Sequence, residues 1–163
     1  MGLKKVFWLE DQCEDLDLYR STLFREGMQL DIVKSISEAI TKLKEGKNSY
    51  IAFIFDIKVR PGKNKQWVDL DKTKREENPD SDSYLGLELL YSLFKQEQTR
   101  VKLKPSIHID PKKVIVFSAV NVHELVDQVS SMGIPANHVL SKSSKDAKTL
   151  LNMIQYIMGK TQG

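Results

Sequence analysis

Three short, almost unbroken apolar runs constrain this chain most: Val6-Phe7-Trp8-Leu9, Ile51-Ala52-Phe53-Ile54-Phe55 and Val114-Ile115-Val116-Phe117. Each is rich in β-branched or aromatic residues and none alternates polar with apolar positions, so each reads as a strand buried on both faces. Two weaker strands are expected at residues 30–33 and 138–140. Between the strands, apolar residues recur with helical spacing. They are Leu16, Tyr19, Leu23 and Phe24; Ile36, Ala39, Ile40 and Leu43; Leu87, Leu89, Leu90, Leu93 and Phe94; Val122, Leu125, Val126 and Val129; and Leu150, Leu151, Ile154, Ile157 and Met158. One apolar stripe per helix suits packing on a sheet. Strand and helix thus alternate five times, and right-handed crossovers that must pack back on the sheet turn this into an α/β fold. A doubly wound, five-stranded parallel sheet with helices on both faces is expected.

A chain of 163 residues fits one domain, 1–163, able to bury a core without disulfides or a structural metal. No stretch approaches a membrane-spanning length, and the start, Met1-Gly2-Leu3-Lys4-Lys5, runs straight into a strand without the apolar region of a secretory signal. The lone Cys13 can form neither an internal disulfide nor a thiolate-rich metal cluster, and reads as a small buried or half-buried side chain in a reducing compartment. The cytoplasm is the expected location. Basic and acidic residues number 25 and 22 and are scattered along the chain, so no basic arm or stripe points to nucleic acid. His108, His123 and His138 show no metal-ligand spacing and read as ordinary histidines.

Punctuation supports the helices. Ser35 or Ser37 can cap the second, and Gly27, Gly46 and Gly133 follow the ends of apolar stripes. Two segments break the alternation. Residues 63–83 carry 11 charges in 21 positions and read as an insertion after the third strand, neither a strand nor a core helix, placed where it could cover a site at the strand ends. Trp67, Val68 and Leu70 are its one apolar spot, expected to dock on the domain itself. Residues 95–111 lengthen the approach to the fourth strand. Long connections in compact domains are usually functional or disordered.

Ligands of open parallel sheets sit beyond the carboxyl ends of the strands, and here those ends are polar. The first strand stops at Glu10-Asp11, the third at Asp56, the fourth at Ser118-Ala119 and the fifth at Ser141-Lys142. Carboxylates converging on one edge repel by roughly 4 kcal/mol per pair at about 4 Å and an effective dielectric near 20, so positive charge is required. Lys142 can supply one unit, and a hard divalent cation that prefers oxygen ligands, magnesium foremost, can supply two. A salt-bridge cluster of Asp56 with Lys142 alone would leave Glu10 and Asp11 uncompensated. Asp56 is the candidate nucleophile, since a carboxylate can form an acyl phosphate. Ser118 could then donate its hydroxyl to a phosphoryl oxygen while Lys142 pairs with another.

These residues and their order resemble the receiver domains of two-component signalling over nearly the whole chain. Lys5-Val-Phe-Trp-Leu-Glu-Asp11 looks like the first strand with its acidic pair, and Phe55-Asp-Ile-Lys-Val-Arg-Pro-Gly62 like the phospho-acceptor strand and loop. Tyr84-Leu-Gly-Leu-Glu-Leu-Leu90 is similar to the family's third-helix entry. Val114-Ile-Val-Phe-Ser-Ala119 resembles the fourth strand, and His138-Val-Leu-Ser-Lys142 the fifth. The resemblance implies a flavodoxin-like strand order 2-1-3-4-5. It also implies magnesium bound by Glu10, Asp11, Asp56 and the backbone carbonyl of Lys58, with Asp56 phosphorylated by a histidine kinase, a phosphotransfer protein or a small acyl phosphate. The family's signal passes to a downstream protein, with no turnover of an external substrate.

The chain departs from the family pattern at several points. Ser143 stands where the family often has a proline, and Val139 occupies the aromatic switch position, so a hydroxyl-to-aromatic switch cannot operate in its usual form. The acceptor loop has one extra residue before Pro61. Lys58 and Val120 hold positions that tune dephosphorylation and offer no carboxylate or amide to orient water, so a long phosphate lifetime is expected. Three other classes compete. A receiver-like module used only for binding would leave Asp56 unphosphorylated. An aspartyl-phosphate phosphohydrolase needs a second acid where Lys58 stands, and a flavin binder needs a glycine-rich loop where the chain reads Glu10-Asp-Gln-Cys-Glu-Asp15.

Overall fold

The structure, a computed structural model, describes residues 2–12, 16–80, 82–142 and 147–162. Cys13, Ser143 and the side chain of Val122 therefore lie outside the described residues. In chain order the elements are β1 (Lys4–Leu9), α1 (Leu16–Arg25), β2 (Met28–Val33), α2 (Ile36–Gly46), β3 (Tyr50–Phe55), α3 (Lys65–Glu77) and α4 (Leu85–Phe94). There follow β4 (Val114–Ser118), α5 (Val122–Ser130), β5 (Val139–Ser141) and α6 (Ala147–Gln162). Among the described residues no helix is long and apolar enough to cross a membrane.

The five strands form one parallel sheet in the order β2-β1-β3-β4-β5. Because the strands are nearly continuous in apolar residues, successive side chains feed two cores, one on each face. Phe7, Leu9, Phe53, Phe55, Val114 and Val116 point into the layer shared with α2, α3, α4 and α5. Val6, Trp8, Ala52, Ile54, Ile115 and Phe117 point into the layer shared with α1 and α6. The reversal of strand order lies between β1 and β3, and the polar residues that end these strands share one edge.

Local chemistry sets the helix starts. Ser35 caps α2, its hydroxyl accepting from the Glu38 N–H at 3.2 Å, while the Glu38 carboxylate accepts from the Lys34 N–H at 2.9 Å. Two hydrogen-bond donors at that end are thereby satisfied reciprocally. Gly27 and Gly133 adopt positive φ of 78° and 89° just past α1 and α5, a conformation open to glycine at little cost. Gly46, by contrast, is the last residue of α2 itself. The fifth strand begins one residue later than expected. His138 sits in a short 3-10 turn, buried, and its Nδ1–H donates to the Val114 carbonyl at 2.9 Å.

The charged segment after β3 contains a helix, contrary to the sequence expectation. Trp67 and Leu70 are 1% and 8% exposed and belong to the same core as β3 and α4, so α3 is a core-anchored helix. Its apolar face is only these two residues, three positions apart, and Val68 points to solvent. So narrow a stripe among eleven charges is nearly invisible to periodicity. Capping and ion pairs supply what propensity does not. Asn64 accepts from the Trp67 N–H at 3.4 Å, Arg75 pairs with Asp71 one turn away at 3.1 Å, and Lys74 reaches Glu88 of α4 at 2.7 Å. Trp67→Ala is therefore expected to destabilise the whole domain by about 3–5 kcal/mol in urea denaturation, whereas Val68→Ala should fall within about 0.5 kcal/mol of the parent.

Candidate functional site

The sheet brings Glu10, Asp11 and Asp56 together at its carboxyl edge. Each offers a carboxylate oxygen, and these oxygens lie within 4.8 Å of one another. Glu10 and Asp56 are 2% and 4% exposed. The backbone fixes both: the Glu10 N–H donates to the Val33 carbonyl at 2.9 Å and the Asp56 N–H to the Leu9 carbonyl at 3.0 Å, continuing the ladder one residue past each strand. The Asp56 carboxylate takes the Ile57 N–H on Oδ1 at 2.7 Å and the Lys142 ammonium on Oδ2 at 2.9 Å. Lys142 also touches the Glu10 carboxylate, so one cation bridges two buried anions. Asp11 is held from outside, its Oδ2 accepting from the Arg60 N–H at 3.1 Å with the Arg60 guanidinium 3.8 Å away.

Ser118 ends β4, paired in register with Ser141, the residue before Lys142. It is 1% exposed, and its Oγ accepts from the Val120 N–H at 3.1 Å. Its hydroxyl hydrogen is thus not committed by that contact. Of the sequence candidates, Glu10, Asp11, Asp56 and Lys142 are in mutual contact or close to it, and Ser118 stands on the neighbouring strand end. The Lys58 side chain is turned elsewhere. Its ammonium pairs with Asp82 at 2.9 Å and lies 5.9 Å from the ring centre of Tyr84. The hydrogen bond that Lys58 donates to Asp82 raises its amine above the ordinary range, against the opposing effect of burial.

Electrostatics describe a site short of positive charge. Burial, with the neighbouring Asp56 charge adding to it, pushes Glu10 up from 4.5 to about 7, against the pull of Lys142. Burial and Asp56 likewise raise Asp11. Burial pulls the Lys142 ammonium down, but Asp56 and Glu10 more than offset it and hold the amine above its ordinary value. Three carboxylates that each offer an oxygen, against one half-buried ammonium, fit a hard divalent cation.

Two residues of the Tyr84–Leu90 stretch to which the sequence assigned no role at the site shape it. Gly86, in the first turn of α4, donates its N–H to the Ile57 carbonyl at 2.9 Å. A Cβ there would collide with the Asp56 carbonyl oxygen and lie 2.8 Å from the Ile57 Cα. The signal was present in the sequence, since an isolated glycine inside a helical pattern marks a close backbone approach. Just before it, Tyr84 takes the left-handed conformation, φ 51° and ψ 48°, at the start of α4, a strain of about 1–2 kcal/mol for a residue with a Cβ. Beside the acids lies a cleft of about 350 Å³ lined by Asp11, Gln12, Lys58, Arg60, Arg75 and residues 82–84. Arg75, Asp82 and Ser83 of the charged segment thus line a cleft that reaches Asp11.

No protein-family model and no curated protein sequence matches the chain. Solved structures do. The signal receiver domain of a LuxO repressor protein from Vibrio parahaemolyticus is similar at a TM-score of 0.60 and 18% identity, covering 98% of this chain and 93% of that one. A CheY-like response regulator receiver domain from Methanospirillum hungatei matches at 0.55 and 19% identity, covering 99% and 98%. The receiver domain of a sensor histidine kinase from Pseudomonas aeruginosa, described with a magnesium ion coordinated in its active-site cleft, matches at 0.55 and 13%, covering 97% and 99%. The chain has the fold of response-regulator receiver domains, a flavodoxin-like parallel sheet of order 2-1-3-4-5.

Two outcomes follow from this geometry. Between pH 4.5 and about 7 the folded, metal-free protein holds a proton on Glu10 that the unfolded chain has released. Stability must therefore fall as pH rises through that window, by about 3 kcal/mol at most. Thermal melts should show this slope, and Glu10→Gln or millimolar magnesium should flatten it. Gly86→Ala should displace the Asp56 loop and cost about 2 kcal/mol or more in denaturant unfolding, well beyond the gain that alanine brings to an ordinary helix position.

Proposed function

We propose that the chain is a phospho-accepting receiver domain whose acceptor is Asp56. The observation that carries this reading is the buried Asp56 carboxylate held between the Ile57 N–H and Lys142, beside Glu10 and Asp11, in a receiver fold. Glu10, Asp11 and Asp56, with the backbone carbonyl of Lys58, would hold magnesium, which when bound neutralises charge on the transferring phosphoryl group. The Asp56 carboxylate attacks phosphorus, and the bond from phosphorus to the donor histidine nitrogen, or to the oxygen of a small acyl phosphate, breaks as the acyl phosphate forms. Attack through Oδ2 leaves the new group beside the Lys142 ammonium that already touches that oxygen. Ser118 donates its hydroxyl to another phosphoryl oxygen. Donor proteins are histidine kinases or phosphotransfer proteins, a downstream protein reads the product, and the setting is the cytoplasm. The domain assists its own phosphorylation and dephosphorylation and turns over no external substrate.

One observation favours a second reading, a receiver used only for binding. The segment carrying Arg75 and Asp82 lines the approach to the acids and ties down Lys58, which narrows access for a donor protein. A single experiment separates the two. With acetyl phosphate and magnesium, intact-mass spectrometry should show a gain of one phosphoryl group that Asp56→Asn abolishes. The gain should decay over minutes or longer, because Lys58 is engaged by Asp82 and Val120 is apolar and buried, leaving no side chain there to orient water. No mass gain with acetyl phosphate or with a cognate kinase supports the binding module instead.

A further inference from the structure

Of the loop residues that follow Asp56, Ile57 and Val59 are buried, whereas Lys58 and Arg60 are exposed and line the cleft beside Asp11. The Arg60 main chain is held from two directions. Its carbonyl accepts from the Ile36 N–H at 3.0 Å, next to a parallel bridge between Arg60 and Ser35, and its N–H donates to Asp11 Oδ2 at 3.1 Å. Both bonds belong to the backbone, so they fix where the side chain starts whatever residue stands there.

Lys58, Arg60 and Arg75 are the cations of this cleft among the described residues, and two of them are committed. Lys58 pairs with Asp82 at 2.9 Å, and Arg75 donates from Nε to both carboxylate oxygens of Asp71, at 3.1 and 3.2 Å. Arg60 is different. Its side chain is 61% exposed, its Nε stands 3.8 Å from Asp11 Oδ2, and its guanidinium makes no hydrogen bond among the described residues. A guanidinium carries its N–H donors in a planar fork that matches a pair of phosphoryl oxygens, and this fork is unfilled.

Charge decides when such a group is needed. Lys142 and a divalent cation together match the carboxylates of Glu10, Asp11 and Asp56. Phosphorylation exchanges the single charge of Asp56 for about two on the phosphoryl group, which leaves the site short of positive charge. We infer that Arg60 is a phosphoryl-binding residue of this site: its guanidinium rests loosely against Asp11 while Asp56 is free and pairs with a phosphoryl oxygen once Asp56 is modified. Lys58 and Arg75 would have to break shorter ion pairs to do the same. Arg60 thus joins Ser118 and Lys142 in holding the phosphoryl group, from the loop that is one residue longer before Pro61. The inference rests on Asp56 being the acceptor.

The probe is beryllofluoride, a phosphoryl mimic, titrated into the full chain at saturating magnesium and followed by fluorine NMR. Arg60→Gln keeps both backbone bonds and should weaken beryllofluoride binding about tenfold. Magnesium binding without fluoride, measured by calorimetry, should be unchanged or up to about threefold tighter, because a neighbouring cation is gone. Arg60→Lys, which restores the charge without the fork, should recover part of the loss. Arg75→Gln should alter beryllofluoride affinity by less than about twofold, since a general field at this surface is screened by salt. A purely structural role for Arg60 would weaken magnesium and beryllofluoride binding together, and that result overturns the inference. So does Arg60→Gln binding beryllofluoride as the parent does, or Arg75→Gln losing as much as Arg60→Gln. If the parent itself binds no beryllofluoride and takes no phosphoryl group from acetyl phosphate, the acceptor role of Asp56 falls and this inference falls with it.

Discussion

The carboxyl edge of this sheet depends on one ammonium. Lys142, carried by the last strand, reaches across to both Glu10 at the end of β1 and Asp56 at the end of β3. Two anions that are almost fully buried could not be brought so close in the absence of a counter-charge, because repulsion between like charges grows as water is removed. The bridge therefore links the first, third and fifth strands at the point where the strand order reverses. It does not finish the neutralisation. Glu10 is pushed up to about 7 and Asp11 is raised as well, so the pocket favours any partner that brings positive charge on a hard, oxygen-seeking centre.

Around this edge the loops are packed to leave little freedom. The segment after Asp56 lies against two elements. Gly86 admits the α4 backbone to the Asp56 carbonyl on one side. On the other, the Ile36 and Ser37 N–H groups donate to the Arg60 and Pro61 carbonyls at 3.0 and 3.1 Å, and the Ser37 hydroxyl donates to Pro61 at 2.7 Å. Gly62, at φ 81°, leaves no room for a side chain, because a Cβ there would lie 2.6 Å from the Ser35 hydroxyl oxygen. The loop after Asp56 is thus in hydrogen-bonded contact with the start of α2 and the start of α4. Val139, two positions before the end of β5, is buried in the core. The charged segment after β3 is fastened at both ends, since Asp82 pairs with Lys58 while Trp67 of α3 is anchored in the core.

Much of this was legible in the residues. Continuous apolar runs at residues 6–9, 51–55 and 114–117 can satisfy their side chains only between two layers, so the strands and their burial followed directly. The polar residues that stop these runs located Glu10, Asp11, Asp56, Ser118 and Lys142 at a common edge. Other features were not legible. The α3 helix rests on two apolar side chains and on ion pairs to residues distant in sequence, Lys74 with Glu88 and Arg100 with Glu77. Local pattern carries no trace of such contacts. The diversion of Lys58 to Asp82, and the grip of the Arg60 N–H on Asp11, are likewise invisible until the chain is folded.

The sequence by itself determined the sheet, its two buried faces and the identity of the acids, hydroxyl and lysine at its carboxyl edge, because side-chain periodicity and strand ends are local properties. Only the tertiary structure decided how these groups share charge, which backbone Gly86 approaches, and that a segment dense in charges folds into a core-anchored helix. Each of those depends on distances between residues far apart in the chain, and burial, which sets the strength of every charge in the site, exists only once the two layers have closed over the sheet.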